Sequence, residues 1–339
     1  KQIEVLSKWP VIKSEAEATA ATGQLLGTAE AAIKSGGPEE ALSLVNGACL
    51  QLNNFKRKQQ RRRLLALNGC AIGGAATARI KQRDSMLNVT KTAAGAIPTS
   101  STLLAGVAGT VGQVLSDPCE ASGVARAEGV NVIVGLVNAA RSKDNDANLD
   151  HPGSVVNMLG VLSAAVTPVG KEDANAAGVQ TAATSAARAL ITTQLGPALP
   201  GEKPAEVQTP MMSYVATRML PPDASGATLT NNVTAHPSTG GSSFAVPSEA
   251  LSLGGGSPVD QILLAIEYDA HAGNNGSSSN ATSKGNDNAT NITDVENIAA
   301  APRAAGTVSL ILKSSGGGEL NVRDRKSTRL NSSHLVISY

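Results

Sequence analysis

The chain has 339 residues, of which 41% are hydrophobic, 16% charged and only 2% aromatic, with a formal charge of +1. That length allows two domains and a sizeable core, and the near-neutral charge excludes a global attraction to nucleic acid or to an anionic membrane. The apolar content is almost all Ala, Val, Leu and Ile, with one Trp, two Phe and three Tyr, which suits helices packed closely through small side chains.

From Lys1 to about Pro204 the chain punctuates like a series of helices. "SEAE" (Ser14 to Glu17) is a capping box that predicts a helix start, and "SGGPEE" closes that helix at Gly36 and Gly37. Pro38 and Glu39 then open the next one. "FKRKQQRRR" (Phe55 to Arg63) carries six basic residues in nine. It reads either as a nucleic-acid or import patch or as the solvated face of a long helix. The second reading is preferred, because no aromatic residues are interleaved and the other basic residues do not cluster with it.

Three cysteines, Cys49, Cys70 and Cys119, stand far apart without a CxxC pair or a nearby His. They are expected to be buried thiols on helices rather than a zinc site or a disulfide framework. "DPCE" (Asp117 to Glu120) repeats the helix-start signature, with Asp as N-cap and Pro first. Val130, Ile133, Val134 and Val137 then fall at i, i+3, i+4, i+7, as do Val155, Met158, Leu159 and Leu162. Ala187, Leu190 and Ile191 make a shorter stripe. One apolar stripe per helix with short polar connectors predicts an antiparallel helical array over residues 1–205. No stretch reaches the roughly 18–20 uninterrupted apolar residues of a membrane span.

After "GEKPAEVQTP" the period changes to two. "TVSLILK" places Val308, Leu310 and Leu312 on one face, and "QILLAIEYD" does the same with Ile262, Leu264, Ile266 and Tyr268. "MMSYVATRML" and "SSFAVP" are further strand candidates, and "SSGGGEL" is a turn before "LNV". Residues 206–323 therefore read as half of a β-sandwich with one buried face. The low-complexity segment at 270–298 is predicted to be a disordered loop, too polar to bury a core. Sequons stand at Asn275, Asn280, Asn288 and Asn291 within it, at Asn88 and Asn232 elsewhere, and at Asn331 in the last sixteen residues. Crowded acceptors suit an extracellular glycoprotein, although an Asn/Ser/Thr-rich loop also produces the motif by composition alone. The fold expected overall is α+β, a helical array followed by an incomplete antiparallel β-sandwich.

Motifs that would carry chemistry fail on inspection. "DNDANLD" (Asp144 to Asp150) begins like a calcium loop, but Leu149 stands where Gly is required and Val155 where a bidentate Glu belongs. "TPVGKED" lacks the first Gly and the Ser/Thr of a phosphate-binding loop, so Lys171 cradles nothing by that rule. His151, His236 and His271 are scattered over predicted loops. No catalytic residue, cofactor or metal site is expected, and the chain is read as a non-enzyme.

The last residues, "DRKSTRLNSSHLVISY" (Asp324 to Tyr339), change character abruptly. Back-translated with one choice of codons, they spell the common adapter ligated to fragments in short-read sequencing. Leu335 and Val336 occupy the place of its variable six-base index. Residues 324–339 are therefore expected to be an assembly artefact that packs nowhere, with the native chain continuing differently after about Arg323. Without them the formal charge changes from +1 to −1.

The order of "SSFAVPSEAL", "VDQILLAIEYDA" and "AGTVSLILKSSGGGELNV" resembles the GPCR autoproteolysis-inducing (GAIN) domain of adhesion receptors and polycystin-like proteins. The resemblance covers about Val207 to Arg323 and runs through a strand, a Pro-containing turn, a strand ending in Tyr, and a strand leading into a Gly-Glu-Leu turn. It implies an extracellular juxtamembrane module at a cell-surface or cilium-like membrane, partnered by further strands and a membrane segment of the same protein. It also implies a Cys/Trp-containing motif ending in His-Leu-Thr or His-Leu-Ser, where the hydroxyl attacks its own preceding peptide bond with His as base. Here "SSHLVIS" has no Cys or Trp before it, and Val336 supplies no hydroxyl. No catalytic residue is carried over, and the module is expected to be a non-catalytic fragment. The alternatives are a secreted or surface structural protein without a membrane partner, and an intracellular helical protein acting through residues 55–63. No nucleic-acid partner is expected.

Overall fold

In the computed structural model, residues 14–62, 74–96, 100–141, 149, 152–167, 176–225, 227–231, 242–245, 257–268, 305–314 and 335–338 are described. The predicted capping chemistry acts where it stands. The Ser14 hydroxyl accepts from the Glu17 amide at 3.2 Å and opens α1 (Glu15–Lys34), with acidic residues in the first turn and Lys34 in the last. Gly36 takes a φ of 83°, and the Gly37 amide donates back to the Ala32 carbonyl at 2.8 Å, a Schellman close. Pro38 begins α2 (Pro38–Arg62) directly afterwards. There follow α3 (Gly74–Ala96), α4 (Ser101–Leu115), α5 (Gly123–Arg141), α6 (Pro152–Val166) and α7 (Ala176–Leu195).

Each of these helices packs on its chain neighbours, and α4 on α6 and α5 on α7 add a second layer of contacts. Small residues permit the approach. A Cβ built on Gly129 of α5 would lie 2.7 Å from the Leu115 Cδ1 of α4, so those two helices meet closely there. The basic run Phe55 to Arg63 enters as the last turns of α2, helical through Arg62, while its side chains lie outside the described residues.

Two expectations for the helices need correction. "DPCE" does not start a helix. It makes a single turn, in which Cys119 donates its amide to Asp117 Oδ1 and Glu120 donates its amide to the Asp117 carbonyl. The helix restarts at Gly123 because the Ser122 hydroxyl accepts from the Ala125 amide at 2.9 Å. On α5, Val130, Ile133 and Val137 are buried but Val134 is 38% exposed. The buried set instead takes in Val132 and Leu136, since α5 is covered by helices from several sides rather than along one stripe.

Beyond α7 come β1 (Ala205–Gln208), β2 (Met212–Met219), a short helix α8 (Pro221–Ala224), β3 (Thr228–Asn231), β4 (Ser242–Ala245), β5 (Val259–Tyr268), β6 (Ala305–Ser314) and β7 (Leu335–Ser338). The main sheet is antiparallel in the order β1-β2-β5-β6-β7, and β3 pairs with β4 separately. Helices first and antiparallel sheets second make this an α+β fold. Met212, Tyr214 and Ala216 of β2 stand opposite Ile266, Leu264 and Ile262 of β5, and this face joins the core of α6 and α7.

The strands were expected to bury one face, yet Ile262 and Leu263 are both 0% exposed. The second face is covered locally: Leu229 of β3 packs on Val215 and Leu263, and Ala224 of α8 packs on Val259, Leu310 and Leu312. A central strand between helices and a second layer loses its amphipathic signature. The tail was expected to pack nowhere, and this too is corrected. Leu335–Ser338 pairs with β6, Leu310 opposite Leu335 and Thr307 opposite Ser338. A strand edge offers unpaired backbone donors and acceptors to any extended apolar segment, so such pairing demands little of the sequence.

On the second face Thr217 and Gln261 are direct cross-strand partners, 2% and 0% exposed, and neither the hydroxyl nor either amide atom has a hydrogen-bond partner. A buried amide left unpaired costs about 1–3 kcal/mol. Gln261→Met, which keeps the shape and removes the polar atoms, is therefore expected to raise the urea midpoint. A lowered midpoint would show that the amide is satisfied in solution.

Candidate functional site

Arg79 and Arg83 lie on α3 in continuation of its buried Met86, Thr90 and Ala93 positions, so the helix carries two cations on its inward face. Arg83 is 0% exposed. Its Nε donates to Glu120 Oε2 at 3.0 Å, and its Nη2 donates to Asn53 Oδ1 of α2 at 2.8 Å. Its Nη1 donates to the Val114 carbonyl at 2.7 Å and to the Gln113 carbonyl at 3.2 Å. Those carbonyls belong to the last turn of α4, where an orphan acceptor and the negative end of the helix dipole both favour a cation.

Arg79 donates from Nε to Glu120 Oε1 at 2.5 Å and pairs through Nη1 with Glu15 at the start of α1. Asn53 Nδ2 returns a bond to Gln113 Oε1 at 3.1 Å. Asp84 accepts from the Ser122 hydroxyl at 2.8 Å, the same hydroxyl that caps α5. One buried glutamate thus accepts from two guanidinium groups, and the cluster joins α1, α2, α3, α4 and the turn before α5. Its chemical capacity is to hold these segments in a fixed charge register.

A second clamp joins helix to sheet. Arg218 of β2 donates to Asp260 of β5 through Nε at 2.6 Å and Nη2 at 3.0 Å. Its Nη1 reaches the Gly196 and Ala198 carbonyls just past α7, both at 3.0 Å. The Asp260 partner holds the guanidinium pKa above its ordinary value. Tyr214 donates to Gln194 of α7, and the Ser163 hydroxyl of α6 accepts from the Met211 amide at 2.9 Å.

The cysteines divide. Cys49 is a free thiol, 0% exposed, and burial pushes its pKa up to about 12. It rests against the Met86 sulfur at 3.3 Å, as expected of a buried structural thiol. Cys119 corrects the expectation: it is exposed and disulfide-bonded. The third cysteine, Cys70, lies outside the described residues. The odd cysteine count obscured this, because one buried thiol and one bridge look alike in spacing.

Among the sequons only Asn88, exposed on α3, lies within the described residues; Asn232, Asn275, Asn280, Asn288 and Asn291 lie outside them. His151, His236, His271, Lys171 and the loop at 270–298 also lie outside. Among the described residues no group of three or more His, Cys, Asp or Glu could hold a metal ion, and no helix is long and apolar enough to cross a membrane. Sequence reasoning missed Arg83, Glu120, Arg218 and Asp260. The available signal for the first was a charge in phase with an apolar stripe. No family model matches the chain, and no curated protein matches it.

Two expectations follow from this geometry. Glu120→Gln leaves two guanidinium groups against a neutral amide, so it is expected to cost about 3–5 kcal/mol in urea unfolding. The double change Arg83→Met with Glu120→Leu removes both buried charges and is expected to cost less than Glu120→Gln alone. For the cysteines, iodoacetamide at neutral pH followed by peptide mapping should find Cys49 and Cys119 unlabelled in the native unreduced chain. Unfolding without reductant should then expose Cys49, and a dithiol reductant should add Cys119. A label on Cys119 before reduction would contradict its bridge.

Proposed function

We propose that the chain is a non-catalytic extracellular segment of a polycystin-like or adhesion-type membrane protein, a GAIN-like module lying close to the membrane. The observation that carries the extracellular part of this reading is the disulfide at exposed Cys119, because such bonds persist in oxidising compartments and are rare in the cytosol. The order of elements supports it: helices, then a strand pair at 212–219 and 259–268, then the strand at 305–314 that holds the "TVSLILK" part of the resemblance. On this reading a native strand following Arg323 takes the edge of β6 that Leu335–Ser338 occupies here. The partners are those continuing strands and a membrane segment of the same protein.

The test is the native transcript, tagged and expressed in cells, with a membrane-impermeant biotin reagent applied before and after permeabilisation. The expected result is labelling on intact cells, with a reading frame that continues past Arg323 into further strands and membrane spans. Labelling only after permeabilisation, or a stop codon at once after Arg323, would overturn the proposal.

A further inference from the structure

The face of α3 turned away from the Arg83 cluster has its own regularity. Lys81, Ser85, Asn88, Thr92 and Gly95 recur at i, i+4, i+7, i+11 and i+14, and all five are exposed. None of the large apolar residues exposed among the described residues, such as Val124 or Leu199, lies on this helix. Lys91 beside it pairs with Glu128 of α5, which lowers the Glu128 pKa, so the rim of the stripe is charged. A polar stripe without an apolar anchor makes a poor protein interface and leaves room for a bulky hydrophilic group.

At its centre is the acceptor motif Asn88-Val89-Thr90. Asn88 is open to solvent, but Val89 is 5% exposed and Thr90 is 0% exposed. The Thr90 hydroxyl donates to the Met86 carbonyl at 2.8 Å. The fold therefore presents the asparagine and withholds the hydroxyl. Transfer of an oligosaccharide to such a motif needs both, on a segment free to leave the helix.

We propose that Asn88 is an N-glycosylation site, modified before α3 folds and closed to the transferase afterwards. The donor is an oligosaccharide carried on a polyprenyl diphosphate. The Asn88 Nδ2 bonds to the anomeric carbon, the carbon–oxygen bond to the diphosphate breaks, and its electron pair leaves with the diphosphate. One amide proton is lost. After folding the glycan stands on the polar stripe and displaces no core side chain. This rests on the extracellular reading above, since only a chain entering the secretory lumen meets the donor.

The experiment forces that entry, so it judges the site separately from native location. An unrelated cleavable signal peptide is fused to the chain, and Asn232, Asn275, Asn280, Asn288, Asn291 and Asn331 are changed to Gln. This chain is translated with microsomes. One glycosidase-sensitive band shift is expected, and it is lost on adding Asn88→Gln. The same chain without the signal peptide, purified folded and then added to detergent-opened microsomes, should stay unshifted. No shift during translation would overturn the site, and an equal shift in the folded chain would overturn the order of events. If the shift occurs as expected but the native protein is labelled only inside cells, the site stands and the extracellular reading fails.

Discussion

The pairing of Arg83 with Glu120 is the constraint on which the helical region depends. Ionic groups this deep stabilise a fold only if every donor is met, and the cost of leaving one charge alone exceeds the gain of most apolar contacts. Arg83 meets that condition by reaching a carboxylate, an amide oxygen and two helix-terminal carbonyls at once. These partners sit on three different stretches of chain. The side chain can be buried only when α2, the end of α4 and the turn at Glu120 have all arrived.

The same logic operates at the junction with the sheet. Arg218 is held in a fork by Asp260 and spends its remaining donor on carbonyls that follow α7. Around it a single apolar cluster extends from Leu26 and Val45 in the helices to Tyr214, Ile262 and Ile311 in the sheet. The helices supply one cover for the central strand β5, and α8 with the β3–β4 pair supplies the other. The polar pair Thr217 and Gln261 lies on the same face of the sheet as that second cover.

How much of this was legible in the sequence varied with the range of the signal. Ser14, Gly36 and Pro38 act within one turn, so their chemistry could be read directly and the helix boundaries around them were right. β2, β5 and β6 were visible because alternation is also local. "DPCE" misled because its cap was real but its continuation was decided elsewhere, by two arginines of α3 drawing Glu120 inward. Val134 and the second face of β5 misled for a related reason: burial there depends on which elements arrive from outside the window. Cys119 was misread because the spacing of three cysteines contains no trace of which of them are bridged. The acceptor asparagines were readable as motifs, but only the burial of Thr90 separates an open residue from an accessible motif.

Composition explains why the long-range clamps matter so much here. With 2% aromatic residues and cores built from Ala, Val and Leu, the helix surfaces are smooth, and a one-turn slide of one helix on another loses little apolar area. Alanine-rich packing therefore supplies affinity between helices but discriminates weakly between registers. A buried guanidinium discriminates strongly, because displacing α3 by one turn would strand Arg83 without its carbonyls and Glu120 without its cations. The disulfide at Cys119 acts at the adjoining residue and on a different state. It restricts the unfolded chain, whereas the ion pair penalises misfolded compact ones. Cross-link and charge cluster thus act together at the turn before α5, the one narrowing where the chain can go and the other fixing where it stops.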